Sequence, residues 1–186
     1  MKSATTIKES SKPSSKSERA KRIVIVDDHP LFRKGLEQLI NSSDDAFNIC
    51  GEAGDAAEGM SAIRQLKPDL AIVDLGLPGA NGIELIKNIR AEFQKLPVLI
   101  LSMHDESLYA LRALRAGAQG YVVKEQAANE LLEAIRTALA GEVYLARGMA
   151  SVLLHKLVGP GLRSSPSGIE CLTDRELHVL EFWAPD

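Results

Sequence analysis

Five side chains in this sequence have the types and the spacing to do chemistry together. Asp27 and Asp28 are adjacent carboxylates that follow the apolar run Ile23-Val-Ile-Val26. Asp74 is a single carboxylate that stops the run Leu70-Ala-Ile-Val73, with the breakers Gly76, Pro78, Gly79 and Gly82 close behind it. Ser102 follows Pro97-Val-Leu-Ile-Leu101, and Lys124 follows Gly120-Tyr-Val-Val123. Carboxylates a few ångströms apart repel strongly unless a cation sits among them. Hard oxygen donors with no His or Cys nearby suit Mg2+, which takes few protein ligands and keeps waters for a phosphoryl group. One carboxylate is then free to act as a nucleophile, as in aspartyl-phosphate chemistry. Phosphoryl transfer asks mainly for positioning and for neutralisation of the equatorial oxygens. A divalent ion, the Lys124 ammonium and the Ser102 hydroxyl supply both, with Lys as a mobile point charge on a flexible stem. The set reads as an aspartate, Asp74, that accepts phosphate.

Taken singly, each of these residues has a plainer explanation as a turn former, a helix cap or a solvated lysine. What joins them is the alternation of strand and helix signals. The β-branched run Ile23–Val26 suits a strand covered on both faces. Pro30 opens a helix through Asn41, with Leu31, Leu36, Leu39 and Ile40 on its inner side. Phe47 to Cys50 is a weaker second strand, and Asp55-Ala-Ala-Glu58 has the spacing of a capping box that starts a second helix. Pro68 stops that helix before the Asp74 strand. A third helix runs from Gly82 to about Phe93, and the fourth strand ends at Ser102. A fourth helix spans Glu106 to Ala116 with Gly117 as its C-cap; the fifth strand ends at Lys124, and the fifth helix spans Glu130 to Ala140. Five strand–helix repeats with short joins predict a doubly wound parallel sheet, and right-handed crossovers put every strand end on one edge. That edge collects Asp27, Asp28, Asp74, Ser102 and Lys124, in the crevice where such sheets bind ligands.

Composition sets the outer limits. A chain of 186 residues supports one domain with a full core and a shorter remainder. Hydrophobic content of 45% and charged content of 25% are those of a globular protein. No apolar run approaches a membrane span, and the first residues lack the apolar core of a signal peptide. Cys50 and Cys171 fit neither a metal spacing nor a disulfide framework, which points to a cytoplasmic setting. A net charge of −3 gives no basic field for nucleic acid.

The pattern Asp27-Asp28, Asp74 with Pro78 four residues on, Ser102, and Tyr121-Val-Val-Lys124 resembles the receiver domain of two-component response regulators. The resemblance covers Arg22 to about Ala140. It implies a flavodoxin-like (CheY-like) α/β fold with strand order 2-1-3-4-5. It implies that Asp74 takes a phosphoryl group from a sensor histidine kinase, with Asp28, Asp74 and the backbone carbonyl of Gly76 holding Mg2+ and Asp27 assisting through a water. Ser102 and Lys124 would grip the phosphoryl oxygens, and Tyr121 would be a switch aromatic that follows Ser102. His104 would tune hydrolysis of the acyl phosphate, which a receiver carries out on itself as a switch rather than as a metabolic enzyme. Met103 departs from the family, many members of which have a small residue after the hydroxyl. A haloacid-dehalogenase-like phosphohydrolase also uses an aspartyl nucleophile, but it calls for a second Asp two residues after Asp74, where Gly76 stands.

The expected partition is a disordered tail over 1–21, a receiver over 22–141, an extension and helix over 142–158, and a flexible linker over 159–171. Over 172–186, Leu172-Thr-Asp-Arg-Glu-Leu-His-Val-Leu180 resembles the first helix of the helix-turn-helix domain in regulators of the LuxR/FixJ (NarL-like) type. A helix-turn-helix reads DNA with its second helix, and the chain ends before one. The expected function is therefore a phosphorylation-controlled transcription regulator with an incomplete output domain, DNA being a partner only where that domain is whole. A homodimer on phosphorylation is the further expected partner. The alternative is a stand-alone receiver acting by phosphotransfer or protein contacts.

Overall fold

The computed structural model describes residues 19–78, 81–103 and 107–146. The expectations for the tail before residue 19, for His104 and for everything from residue 147 onward lie outside them.

Six parallel strands form one sheet in the order β2-β1-β3-β4-β5-β6. They are β1 (Lys21–Val26), β2 (Phe47–Ala53), β3 (Leu70–Asp74), β4 (Val98–Ser102), β5 (Gly120–Val123) and β6 (Tyr144–Leu145). Five α-helices connect them: α1 (Pro30–Asn41), α2 (Ala56–Leu66), α3 (Gly82–Glu92), α4 (Ser107–Ala116) and α5 (Ala127–Leu139). The predicted order is observed, with β6 added beyond β5. β6 pairs Tyr144 with Gly120 and Leu145 with Tyr121.

Strand alternation sorts the core into two layers. Ile23, Ile25, Leu70, Ile72, Leu99, Leu101 and Val122 face α1 and α5, where they meet Leu36, Ile40, Leu131 and Ile135. Val24, Val26, Val73, Ile100, Tyr121 and Val123 face the opposite way, against Met60, Ile63, Ile83, Ile86 and Ala110 of α2, α3 and α4. The central strands are buried on both faces, which is why they read as unbroken apolar runs. Each fully buried Ile, Leu or Val contributes roughly 1.5–3 kcal/mol of transfer free energy.

Local signals behave as expected at several joins. Asp55 accepts the Glu58 N–H at 2.8 Å, and the Glu58 carboxylate reaches back to the Gly54 N–H at 3.0 Å. Gly117 adopts φ +109°, and Asn81 caps α3 through the Ile83 N–H.

Four expectations need correction. Leu31 is 88% exposed rather than inward. The inner stripe of α1 is Phe32, Leu36, Leu39 and Ile40, and Leu31 falls about 100° away from it on the flank of the first turn. β2 runs three residues past Cys50 to Ala53, because a register shift between Ile23 and Val24 lets Gly51, Glu52 and Ala53 pair with Val24 to Val26. α5 starts at Ala127, since Lys124–Gln126 forms a 3-10 turn that feeds it. β1 begins at Lys21, the last residue assigned to the tail.

Candidate functional site

Register alone brings the five chemical residues to one edge. Val26 pairs with Val73, so Asp27 and Asp74 leave neighbouring strands at the same level. Asp74 pairs with Leu101, and Ser102 pairs with Val123, the residue before Lys124. Alternation then divides the set. Asp27, Asp74 and Lys124 continue the positions that face α1 and α5, whereas Ser102 continues those that face α4. Tyr121 packs in that second layer and is fully buried. Ser102 is buried as well.

Lys124 lies at the centre. Its Nζ stands 2.8 Å from Asp74 Oδ2, with hydrogen-bond geometry, and 2.8 Å from Asp27 Oδ2. All three residues are buried. The ammonium also sits 4.8 Å from the centre of the Phe32 ring, a cation–π distance. Asp74 Oδ1 accepts the Gly76 N–H at 3.2 Å, which folds the β3–α3 loop back over its own carboxylate. Gly82 closes that loop by donating to the Leu75 carbonyl at 3.0 Å.

Asp27 is anchored from the other side. Its Oδ1 accepts the His29 N–H at 2.8 Å, and its carbonyl accepts Arg33 Nη1 at 2.5 Å. Arg33 Nε continues to Glu52 at 2.8 Å, so β1, α1 and β2 are tied at this corner. Asp28 is more open, and its Oδ1 meets His29 Nδ1 at 2.7 Å.

The charges of this centre are coupled. Burial pushes the Asp74 carboxyl above the ordinary carboxylate range and Asp27 pushes the same way, against the Lys124 ammonium and the Gly76 N–H. For Lys124, burial disfavours the ammonium, but Asp27 and Asp74 outweigh it and raise the lysine above its usual value. Two buried carboxylates, Asp27 and Asp74, therefore share one buried cation.

The donor set fits a hard divalent ion. One ligand atom each from Asp27, Asp28, His29 and Asp74 lies within 4.8 Å of the others. Among the described residues, Asp28 Oδ1 is shielded from solvent and accepts no directed hydrogen bond, while the equally shielded Asp27 Oδ2 is met by the Lys124 ammonium that it shares with Asp74. Buried carboxylate oxygens in that condition are costly unless a cation completes them. Asp28, Asp74 and Asp27 are thus the side chains able to hold Mg2+.

Three residues of this site escaped the sequence reading. His29 enters the carboxylate group, which corrects the reading of an all-oxygen set. Phe32 and Arg33 support Lys124 and Asp27. The only sequence signal for them was adjacency: all three lie within six residues of Asp27, on the turn and first helical turn behind β1.

Residues 23–136 match the response regulator receiver domain family. The chain is 34% identical over 159 residues to a nitrate/nitrite response regulator protein homolog of Haemophilus influenzae, covering 86% of this chain and 73% of that protein. It is 36% identical over 159 residues to the DNA-binding transcriptional activator DevR/DosR of Mycobacterium tuberculosis, covering 86% and 72%. A LuxR-family two-component response regulator from Aurantimonas sp. superposes with TM-score 0.70 at 38% identity, over 75% of this chain and 99% of that one. No helix among the described residues is long and apolar enough to cross a membrane. Fold, edge geometry and relatives converge on signalling switches rather than conventional enzymes: this chain belongs to the two-component response regulators of the LuxR type and carries their receiver domain.

Proposed function

We propose that Asp74 accepts a phosphoryl group from a sensor histidine kinase in the presence of Mg2+, and that the modified receiver controls transcription. The observation that carries this reading is the buried Lys124 ammonium shared by Asp27 and Asp74 at 2.8 Å each, with Asp28 beside them. In the transfer, an Asp74 oxygen forms a bond to phosphorus as the phosphorus–nitrogen bond of the donor phosphohistidine breaks, and the imidazole leaves with a proton. Asp28, Asp74 and the Gly76 carbonyl, with Asp27 through water, are the groups that would hold Mg2+, which would supply neutralisation of charge on the phosphoryl oxygens. Lys124 exchanges its bond to the Asp74 carboxylate for one to the phosphoryl group, and the Ser102 hydroxyl donates to another phosphoryl oxygen. The acyl phosphate is later lost to water in the same site.

The new group carries nearly two negative charges, and its pull on Ser102 and Lys124 biases a two-state surface built from α4, β5 and α5. Tyr121, packed on the α4 side of β5, moves with Ser102. A homodimer forms on that surface. Control of DNA is read from relatives such as the mycobacterial transcriptional activator.

The test is labelling by acetyl phosphate or by a phosphorylated histidine kinase, read by intact-protein mass. Wild type gains one phosphoryl group in Mg2+, and Asp74→Asn gains none. Label retained by Asp74→Asn would place the acceptor elsewhere.

A further inference from the structure

His29 brings a nitrogen donor into a group of carboxylates that Mg2+ would otherwise have to itself. Its backbone N–H is fixed by Asp27 Oδ1 at 2.8 Å, and Pro30 follows at the first position of α1, so the turn holding the imidazole is set on both sides. Nδ1 then lies 2.7 Å from Asp28 Oδ1 and 3.3 Å from Asp27 Oδ1. Those separations suit atoms that occupy adjacent positions around one ion, given metal–ligand bonds of roughly 2.0–2.2 Å. Asp74 contributes an oxygen to the same group. A second observation points inward too: Asp28 Oδ1, the oxygen beside the imidazole, is shielded from solvent and lacks a directed hydrogen bond.

We propose that His29 Nδ1, with Asp28 and Asp74, makes this a mixed nitrogen–oxygen site that binds Zn2+, Co2+ or Ni2+ and lets such ions displace Mg2+. The inference rests on the metal site of the proposed function. Mg2+ prefers oxygen and gains nothing from the imidazole, whereas first-row ions rise in affinity along the Irving–Williams order when nitrogen is offered. His29 binds as the neutral ring with its proton on Nε2, and the Nδ1 contact to Asp28 is replaced by both atoms bonding the ion. The side chain is largely exposed, so it swings onto an incoming ion without disturbing the buried Lys124. A nitrogen-seeking ion held this way would take the place of Mg2+ beside the phosphoryl group, and the receiver would then respond to the balance of divalent metals.

The experiment is equilibrium titration of the full chain with Co2+, followed by its visible absorption, then competition by Zn2+ and separately by Mg2+. The variants are His29→Ala, Asp28→Asn and, as control for another histidine, His104→Ala. We expect a Co2+ band in wild type and in His104→Ala that weakens at least about tenfold in affinity in His29→Ala, the scale on which one supporting group moves a metal site. Mg2+ affinity stays the same or tightens in His29→Ala, and Asp28→Asn weakens both ions. Equal Co2+ affinity and spectrum in wild type and His29→Ala overturns the proposal, as does a band that follows His104. Mg2+ binding indifferent to Asp28→Asn overturns the underlying metal site instead, so the two failures are told apart.

Discussion

Fifty residues apart in the chain, Lys124 Nζ and Asp74 Oδ2 meet at 2.8 Å in the fold, with Asp27 Oδ2 at the same distance from the ammonium. One cation thus holds two buried anions, and the resting site is a net-negative cluster inside the protein. Most of its behaviour follows from that imbalance.

Replacing Lys124 with Met leaves Asp27 and Asp74 buried and unpaired. Breaking a buried pair by removing one partner costs about 3–5 kcal/mol. Lys124→Met should therefore lower stability by about 3 kcal/mol in urea unfolding without Mg2+. Saturating Mg2+ should restore part of the loss, and a variant as stable as wild type would deny the ion pair its role.

Removing Asp74 has the opposite sign. Burial raises its folded pKa above the unfolded value, so its contribution to stability is full only at low pH and is lost as pH rises through the folded value. At neutral pH the ionised carboxylate is a cost that a divalent ion bound beside it would offset. Asp74→Asn should be more stable than wild type at neutral pH without Mg2+, and the gap should close in acid. Thermal unfolding across that pH range measures it.

Two glycines should respond in opposite directions. A Cβ on Gly82 would meet the Asp74 carbonyl at 2.4 Å and the Leu75 Cα at 2.8 Å, both backbone atoms. Gly82→Ala should cost roughly 1–3 kcal/mol and slow phosphorylation, because Asp74 itself must shift. Gly35 lies within α1 with nothing near its would-be Cβ. Gly35→Ala should add about 0.5–1 kcal/mol of stability, as expected in an open helical position. Equal responses would refute the packing argument.

Arg90 stitches the end of α3 to the start of β5. Its Nε donates to the Gly117 carbonyl at 2.7 Å, Nη1 to the Gln94 carbonyl at 2.8 Å, and Nη2 to the Gln119 side chain at 3.1 Å. Arg90→Ala should destabilise by roughly 1–3 kcal/mol and speed amide exchange at Gly117 to Gln119. Lysine should not rescue it, since a single ammonium cannot span the fork.

Acid sensitivity should come in part from Asp45 and Glu52. Hydrogen bonds from Arg136 hold Asp45 below its ordinary value, and Arg33 does the same for Glu52. A depressed carboxylate contributes stability above its unfolded pKa and loses it as pH falls through the folded one. Arg136→Gln should lower stability at neutral pH by under about 1 kcal/mol, because the pair is partly exposed. The difference from wild type should vanish in strong acid, and a constant offset would assign the effect to packing.

Much of this site was legible because strand ends are legible. Uninterrupted runs such as Ile23–Val26 and Leu70–Val73 are what two-sided burial demands, so the residue after each run falls on the edge where the candidate site lies. The residues behind that edge were not legible. Leu31 has an apolar side chain near the inner stripe of α1, and periodicity does not separate a core position from the wall of an open cleft beside Phe32 and Met103. His29 was hidden because a turn residue has no period to break. Only the hydrogen bond from its N–H to Asp27 shows which way it is set. β2 was read short because Gly51 looks like a stop, while its pairing depends on an irregularity that leaves Cys50 of β2 without a partner opposite Ile23 and Val24, which no local pattern announces. The two residues of β6 are too few for any alternation to register.

That short strand closes a border. Tyr144 donates its N–H to the Gln119 carbonyl at 2.9 Å, and Gly120 and Tyr121 already have Tyr144 and Leu145 as neighbours. The outer main chain of Gly120 and Tyr121 is therefore taken up within the chain, and a second molecule could not lay a strand directly against those two residues.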